Sequence, residues 1–242
     1  MIDFLNNVDT QIYLFFNSMH APAIDSFMML FTGRFIWVPM YIAIILMLLK
    51  TFGWKLTGVY VLALALAITL TDQTCATIIR PIVARLRPSN PENPLSELAI
   101  LVDGYRGGRY GFPSCHSANS FALATFVSCL IRRSRMIAFI IGWAVLNSYT
   151  RLYLGVHYPG DLLVGAVIGS GFGYICYIFA RRFEPELREA SLAAMGRPLF
   201  SIPTRLQLTS GERLSVGITV GDLMIGVGVA TIFFIIVSSV GG

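Results

Sequence analysis

The stretch TRLYLGVHYPGDLLVGAVIGSGFGYICYIFARR, residues 150–182, joins two features that a soluble domain keeps apart. From Gly160 to Ala180 it is an apolar run long enough to cross a hydrocarbon core of about 30 Å as a helix, and two arginines close it. Just before that run, Arg151, His157 and Asp161 crowd into one short polar connection. The run predicts a helix in a membrane, and the polar connection points to chemistry at its surface.

The rest of the chain agrees with the first half of that reading. Of 242 residues 55% are hydrophobic and only 13% charged, and mean hydropathy is +0.70, values that exclude an ordinary soluble domain. Spans are predicted at about 26–50, 56–79, 115–131, 136–153, 160–180 and 221–239. Residues 4–19 mix Phe4, Leu5, Phe15 and Phe16 with Asn6, Asn7, Asp9 and Gln11, a pattern suited to a helix lying in the interface. The expected architecture is therefore an all-α bundle of about six transmembrane helices. Its parts are an interfacial helix over 1–25, a membrane core over 26–182, a cytoplasmic segment over 183–220 and a last span over 221–242.

The N-terminus lacks a basic region followed by a clean apolar core, so it does not read as a cleaved signal peptide. Cys75, Cys115, Cys129 and Cys176 form no C-x-x-C pair, and they suggest neither a disulfide framework nor a zinc site. No nucleic-acid partner is expected, and the oligomeric state is left open. Basic connections at Lys50 to Lys55, at Arg132, Arg133 and Arg135, and at Arg181 with Arg182 fall on one side if the spans alternate. The positive-inside rule makes that side cytoplasmic.

The opposite face then holds Arg80, Arg85, Arg87, Arg106, Arg109 and Arg151 against few acids: Glu92, Glu97, Asp103 and Asp161. Singly, such arginines reach for headgroups or pair with acids; as a set they outnumber the acids and predict an anionic ligand. Three pieces of sequence bring them together. RPIVARLRP, 80–88, sets Arg80 and Arg87 at the outer end of a span. FPSCHS, 112–117, offers Ser114 as the N-cap of a helix whose first turn holds Cys115 and His116, so free backbone N–H groups and the helix dipole favour an anion there. In the third piece Pro159 suits the first position of a helix, which puts Asp161 in that helix's first turn with His157 just before it. A carboxylate so placed can fix the tautomer of His157 and leave its other nitrogen free to attack. A capping serine, an interfacial histidine and a capping aspartate account for each piece alone. Together they supply nucleophile, acid, orienter and anion clamp.

In these three pieces the chain resembles the type 2 phosphatidic acid phosphatase superfamily, whose motifs are Lys, six residues, Arg-Pro; then Pro-Ser-Gly-His; then Ser-Arg, five residues, His, three residues, Asp. The resemblance covers about residues 26–180. It implies His157 as the nucleophile of a phosphohistidine, Asp161 as its orienter and His116 as the acid that protonates the leaving oxygen. Arg80, Arg87, Arg151 and Ser114, with backbone N–H groups near Cys115 and His116, would hold the phosphoryl oxygens, with no metal or cofactor. Arg80 departs from the usual lysine, Thr150 from serine and Cys115 from glycine.

The expected activity is hydrolysis of a lipid phosphate or diphosphate at the outer face of a bacterial inner membrane. Undecaprenyl diphosphate and the phosphates of lipid A are the favoured substrates, with phosphatidylglycerol phosphate and phosphatidate next. A soluble haloperoxidase sharing the anion site is excluded by the hydropathy, while a transporter or a non-catalytic lipid binder stays open. Arg106 and Arg109, in the Gly-rich YRGGRYGF before the second motif, are expected to contact a second anionic group of the substrate.

Overall fold

The computed structural model describes residues 2–183, 198–207 and 213–240. Helices dominate them: α1 (Ile2–Asn17), α2 (Pro22–Phe31), α3 (Val38–Gln73), α4 (Arg80–Val83), α5 (Cys115–Ile131), α6 (Ser134–Tyr153), α7 (Pro159–Arg181) and α8 (Val220–Val240). One antiparallel hairpin, β1 (Pro198–Gln207) with β2 (Arg213–Thr219), is the only sheet among the described residues. It is an addition that the all-α expectation did not include. The rest of the expected cytoplasmic segment, 184–197 and 208–212, lies outside the described residues.

Among the described residues three segments are long and apolar enough to cross a membrane: Phe35–Val83, Pro159–Arg181 and Gly221–Val240. The first is bent at Gly53, whose φ of 72° is open to glycine and costly for other residues. The bend folds α3 back on itself: the Phe52 and Tyr60 rings meet at 5.0 Å, and Leu48 and Val61 line the same cavity. The expected span at 26–50 is corrected. The apolar stretch breaks after Phe31 at Thr32 and Gly33, passes through a 3-10 turn (Phe35–Trp37) and restarts with Pro39 in the first turn of α3. Hydropathy does not register such a break, because Phe, Ile and Trp on either side keep the average high. Trp37 fills the break, stacking edge-on between Phe31 (4.7 Å) and Trp143 (5.6 Å) while its Nε1–H donates to the Phe31 carbonyl at 2.8 Å.

Helix α5 is the hub, packed against α3, α6 and α7. Its closeness to α7 follows from a stripe of small residues. Gly165, Gly169 and Gly173 recur every fourth position, on one helical face, and meet the carbonyl oxygens of Ser114, Ala118 and Ala122. A Cβ on Gly169 would stand 1.9 Å from the Ala118 oxygen, so only glycine permits this approach. The consequence is positional: the N-termini of α5 and α7 lie side by side, with Ser114 N–H donating to the Asp161 carbonyl at 2.9 Å.

Helix α1 is anchored as well as amphipathic. Phe4, Leu5 and Phe15 are exposed, whereas Tyr13 and Asn17 are buried against α6, α7 and the long loop between α4 and α5. Asn17 Nδ2 donates to the carbonyls of Ile100 and Tyr153, each at 3.0 Å, and its Oδ1 accepts from Ile100 N–H at 2.8 Å. Between α3 and α4 a π-helical turn, Thr74–Ile79, widens the helix just before Arg80. Ala84 then takes a left-handed conformation (φ 48°) that ends α4 and turns the chain toward the cluster.

Candidate active site

His157 sits in the bend between α6 and α7, almost wholly buried. Its Nδ1 lies 3.2 Å from Asp161 Oδ2, and its Nε2 lies 2.9 Å from Arg87 Nη1. A carboxylate only accepts and a guanidinium only donates, so Nδ1 carries the proton and Nε2 keeps its lone pair. Burial, then the charges of Arg87, Arg151 and Arg80, hold the His157 imidazole well below its ordinary pKa of 6.5. The ring is thus a neutral base with a directed lone pair, the state a nucleophile needs.

Asp161 is fully buried, yet each oxygen is paired. Oδ2 also accepts from Tyr158 N–H at 3.1 Å, and Oδ1 accepts from Arg85 Nη1 at 3.1 Å. Arg85 in turn pairs with Asp9 of α1 at 2.7 Å and lies over the Tyr158 ring, 3.9 Å from its centroid. Asp9 reaches the same place from below, accepting from Gly160 N–H at 2.7 Å. Gly111 closes against the pair: a Cβ there would lie 2.9 Å from Asp161 Oδ2 and 3.5 Å from His157 Nδ1.

Arg80, Arg87 and Arg151 converge from α4, the loop that follows it and α6. Arg80 Nη2 donates to the Pro113 carbonyl at 3.0 Å and approaches Cys115 Sγ at 2.9 Å. Arg87 donates to the Tyr110 carbonyl (3.1 Å) and the Val156 carbonyl (3.2 Å), and burial, then the charges of Arg151 and Arg80, bring its pKa down to about 10. Arg151 donates to Thr32 Oγ1 at 3.1 Å and Tyr105 Oη at 2.9 Å. Three like charges in one place repel one another, and the Nε atoms of both Arg80 and Arg151 are buried donors with no hydrogen-bond partner. A multiply charged oxyanion answers both costs, since it brings opposite charge and several acceptor atoms.

His116, in the first turn of α5, faces the same space. Ser120 Oγ donates to the His116 carbonyl at 2.9 Å, so that hydroxyl can accept from Asn147 Nδ2 at 2.8 Å. This orients Asn147 Oδ1 toward His116 Nε2 at 3.1 Å, and Thr32 Oγ1 lies 3.3 Å from the same nitrogen. Nε2 therefore donates to Asn147, and Nδ1 is the nitrogen left for proton exchange. Ser114 is the fully buried N-cap of α5, and its side chain accepts from Ser117 N–H at 3.4 Å.

The structure thus gathers His157, Asp161, His116, Arg80, Arg87, Arg151, Ser114 and Cys115 at one point. Arg106 and Arg109 stand outside it. Arg109 pairs with Glu92 at 2.7 Å on the exposed loop, and Arg106 Nη1 donates to the Ser89 carbonyl at 2.6 Å. Sequence reasoning missed Asn147, Thr32 and Asp9 and left the role of Arg85 open. Only Asp9 had a signal: an acid one turn from Tyr13, in the middle of an amphipathic helix whose other charged residue, Asp3, stands at its start.

The chain is 55% identical over 188 residues to the lipid A 4'-phosphatase of Bacteroides thetaiotaomicron, covering 78% of this chain and 84% of that protein. It is 32% identical over 183 residues to the lipid A 4'-phosphatase of Porphyromonas gingivalis, covering 74% and 77%. The fold is similar to that of a transmembrane phosphatidylglycerolphosphate phosphatase from Bacillus subtilis, with a TM-score of 0.55 at 19% identity over 74% of this chain and 88% of that one. A family model for the PAP2 superfamily matches residues 56–185, the stretch that supplies every arginine, histidine and acid of the cluster except Asp9, and the chain belongs to that superfamily.

Proposed function

We propose that this integral membrane lipid phosphatase removes a phosphate from lipid A, the 4'-phosphate first, through a phosphohistidine on His157. The observation that carries the chemistry is the pairing of a buried, Asp161-oriented imidazole lone pair with three convergent guanidinium groups. Similarity to lipid A 4'-phosphatases across more than three quarters of the chain supports the substrate. Undecaprenyl diphosphate, equally favoured by the motifs alone, becomes the second reading.

In the reaction Arg87 shifts from His157 Nε2 to a phosphoryl oxygen, which frees the lone pair. Nε2 forms a bond to phosphorus as the bond from phosphorus to the sugar oxygen breaks, and His116 Nδ1–H gives its proton to that leaving oxygen. The Asp161 carboxylate balances the positive charge that appears on the His157 ring. Water then attacks phosphorus, His116 takes up its proton, and the bond from nitrogen to phosphorus breaks to release inorganic phosphate. Arg80 and Arg151 hold the charge that builds on the equatorial oxygens, each contact contributing about 1.5–3 kcal/mol. The residues supply every role without a metal.

The cluster lies at the outer face in this reading. Both halves of α3, with α5, α6, α7 and α8, then make six crossings, and the basic connections at 50–55, 132–135 and 181–182 stay in the cytoplasm of a bacterial inner membrane. Arg106 and Arg109 retain a role in binding a second anionic group, reached if a substrate draws them from Ser89 and Glu92. The test is phosphate release by purified protein in detergent, with chelator present, from lipid A, undecaprenyl diphosphate, phosphatidylglycerol phosphate and phosphatidate. Lipid A is expected to show the highest kcat/KM, with acid-labile phosphate trapped on His157 during turnover. A dependence on added metal, or a preference for one of the other lipids, refutes the corresponding part.

A further inference from the structure

A cavity of about 630 Å³ runs from His116 and Cys115 down between the two halves of α3 and helices α5 and α6. Most of its wall is apolar, from Trp37, Tyr41, Leu48, Leu64 and Trp143, as acyl chains require. Two wall residues fit neither chains nor phosphate. Asp72 and Asn119 face each other across the cavity's upper part, Asn119 Nδ2 donating to Asp72 Oδ1 at 3.2 Å. A carboxylate beside a phosphate clamp opposes phosphate binding, and an acid within a span is costly enough to call for a use. The proton-transfer chain of the reaction does not involve it. Asn119 Oδ1, moreover, is buried without a hydrogen-bond partner.

The depth of this pair decides what it reads. Asn119 lies four residues beyond Cys115 on α5, one turn or about 6 Å deeper in the membrane. Asp72 lies eight residues before Arg80, deeper again. The substrate atoms at that level are those between the phosphate and its hydrocarbon tails. The pair presents acceptors there, the Asp72 carboxylate and Asn119 Oδ1, and acceptors need donors. A diacylglycerol phosphate offers ester carbonyls at that level, which only accept. A polyprenyl phosphate offers hydrocarbon, which would leave Asn119 Oδ1 without a donor and the carboxylate with Asn119 alone. An acylated amino sugar offers hydroxyl and amide N–H groups.

We propose that Asp72 and Asn119 form a subsite that accepts hydrogen bonds from the hydroxyl and amide groups of an acylated amino sugar, one ring below the phosphate clamp. The subsite rests on the lipid A reading and gives that reading its selectivity: it rejects lipids whose phosphate is joined directly to hydrocarbon or to a diacylglycerol.

The test compares kcat/KM for lipid A and for undecaprenyl phosphate on the same preparation, so that the fraction of active protein cancels in the ratio. Asn119→Leu and Asp72→Asn keep size and shape; the first removes the Asn119 acceptor, and the second removes the charge and exchanges one carboxylate acceptor for an NH2 donor. Each is expected to lower the ratio of lipid A to undecaprenyl phosphate at least tenfold relative to wild type, through KM for lipid A rather than kcat. An unchanged ratio in both variants, with the wild-type preference for lipid A intact, overturns the subsite. Variants inactive on both lipids assign the pair a structural role and overturn it too. A wild-type protein with no preference for lipid A instead refutes the substrate reading itself, a result distinguishable from failure of the subsite because it needs no variant.

Discussion

Asn147 stands behind His116, and replacing it with leucine separates orientation from chemistry. The two side chains are nearly isosteric, and Asn147 is buried, so packing is largely retained. What is lost is the 3.1 Å bond from His116 Nε2–H to Asn147 Oδ1. Ser120 keeps its own acceptor, the His116 carbonyl, so His116 Nε2–H is the donor that loses an acceptor. When His116 carries the proton destined for the leaving oxygen, the bond to Asn147 is charge-assisted and contributes about 1.5–3 kcal/mol, or about 10- to 150-fold in rate. Thr32 Oγ1, 3.3 Å from the same nitrogen, offsets part of that, so kcat on a lipid substrate is expected to fall about 10- to 50-fold with KM little changed. The decisive comparison is p-nitrophenyl phosphate, whose leaving group departs without a proton. There the fall should be no more than about threefold, because general-acid assistance is not drawn upon. Equal losses on both substrates, or a loss confined to KM, would refute the assignment of His116 as an acid held by Asn147.

Because His157 titrates well below 6.5, its neutral form persists as pH falls below that value, and kcat/KM should hold through the range in which an ordinary histidine would protonate. An acid limb centred at 6.5 or above, after allowance for the substrate's own phosphate titration, would contradict this. Gly169→Leu should cost about 100-fold or more in activity by forcing α5 from α7, whereas Gly171→Leu, with nothing within 4 Å of its added Cβ, should be tolerated; assays of both in membranes check it. In a background without native cysteines, an impermeant thiol reagent added to intact cells should label a cysteine at Ser96 and spare one at Ser134. The reverse pattern would place the cluster in the cytoplasm.

The three motif pieces were legible because each encodes its geometry locally. Pro159 starts a helix, Ser114 caps one, and the spacing from His157 to Asp161 spans a single turn. Asn147 was not legible, since on α6 it reads as one polar residue in an apolar helix, and only the approach of α5 gives it a partner. Asp9 looked like part of a solvated face. Counting acids on the outer loops alone left it out, so Arg85 entered the surplus of cations although it is in fact paired twice. The break at Thr32 and Gly33 escaped because hydropathy averages composition and is blind to backbone direction. It matters for the site, since it is the break that presents Thr32 to both His116 and Arg151.

The π-helical turn at Thr74–Ile79 has a consequence for how this chain tolerates insertion and deletion. Each residue of an α-helix advances the chain by about 100° around its axis, and a π turn holds one residue more than a regular turn. The wider turn therefore takes up one residue without carrying its rotation into the phase at which Arg80 leaves the helix. Losing a single codon within that turn would let a regular helix form with Arg80 near its present phase, whereas losing one from the regular turns before it would swing Arg80 through roughly a quarter of a revolution, away from Cys115. The second lesion would read as conservative by composition and hydropathy, yet it would remove one of the three convergent arginines. A chimera that borrows this helix has to place any change of length inside 74–79.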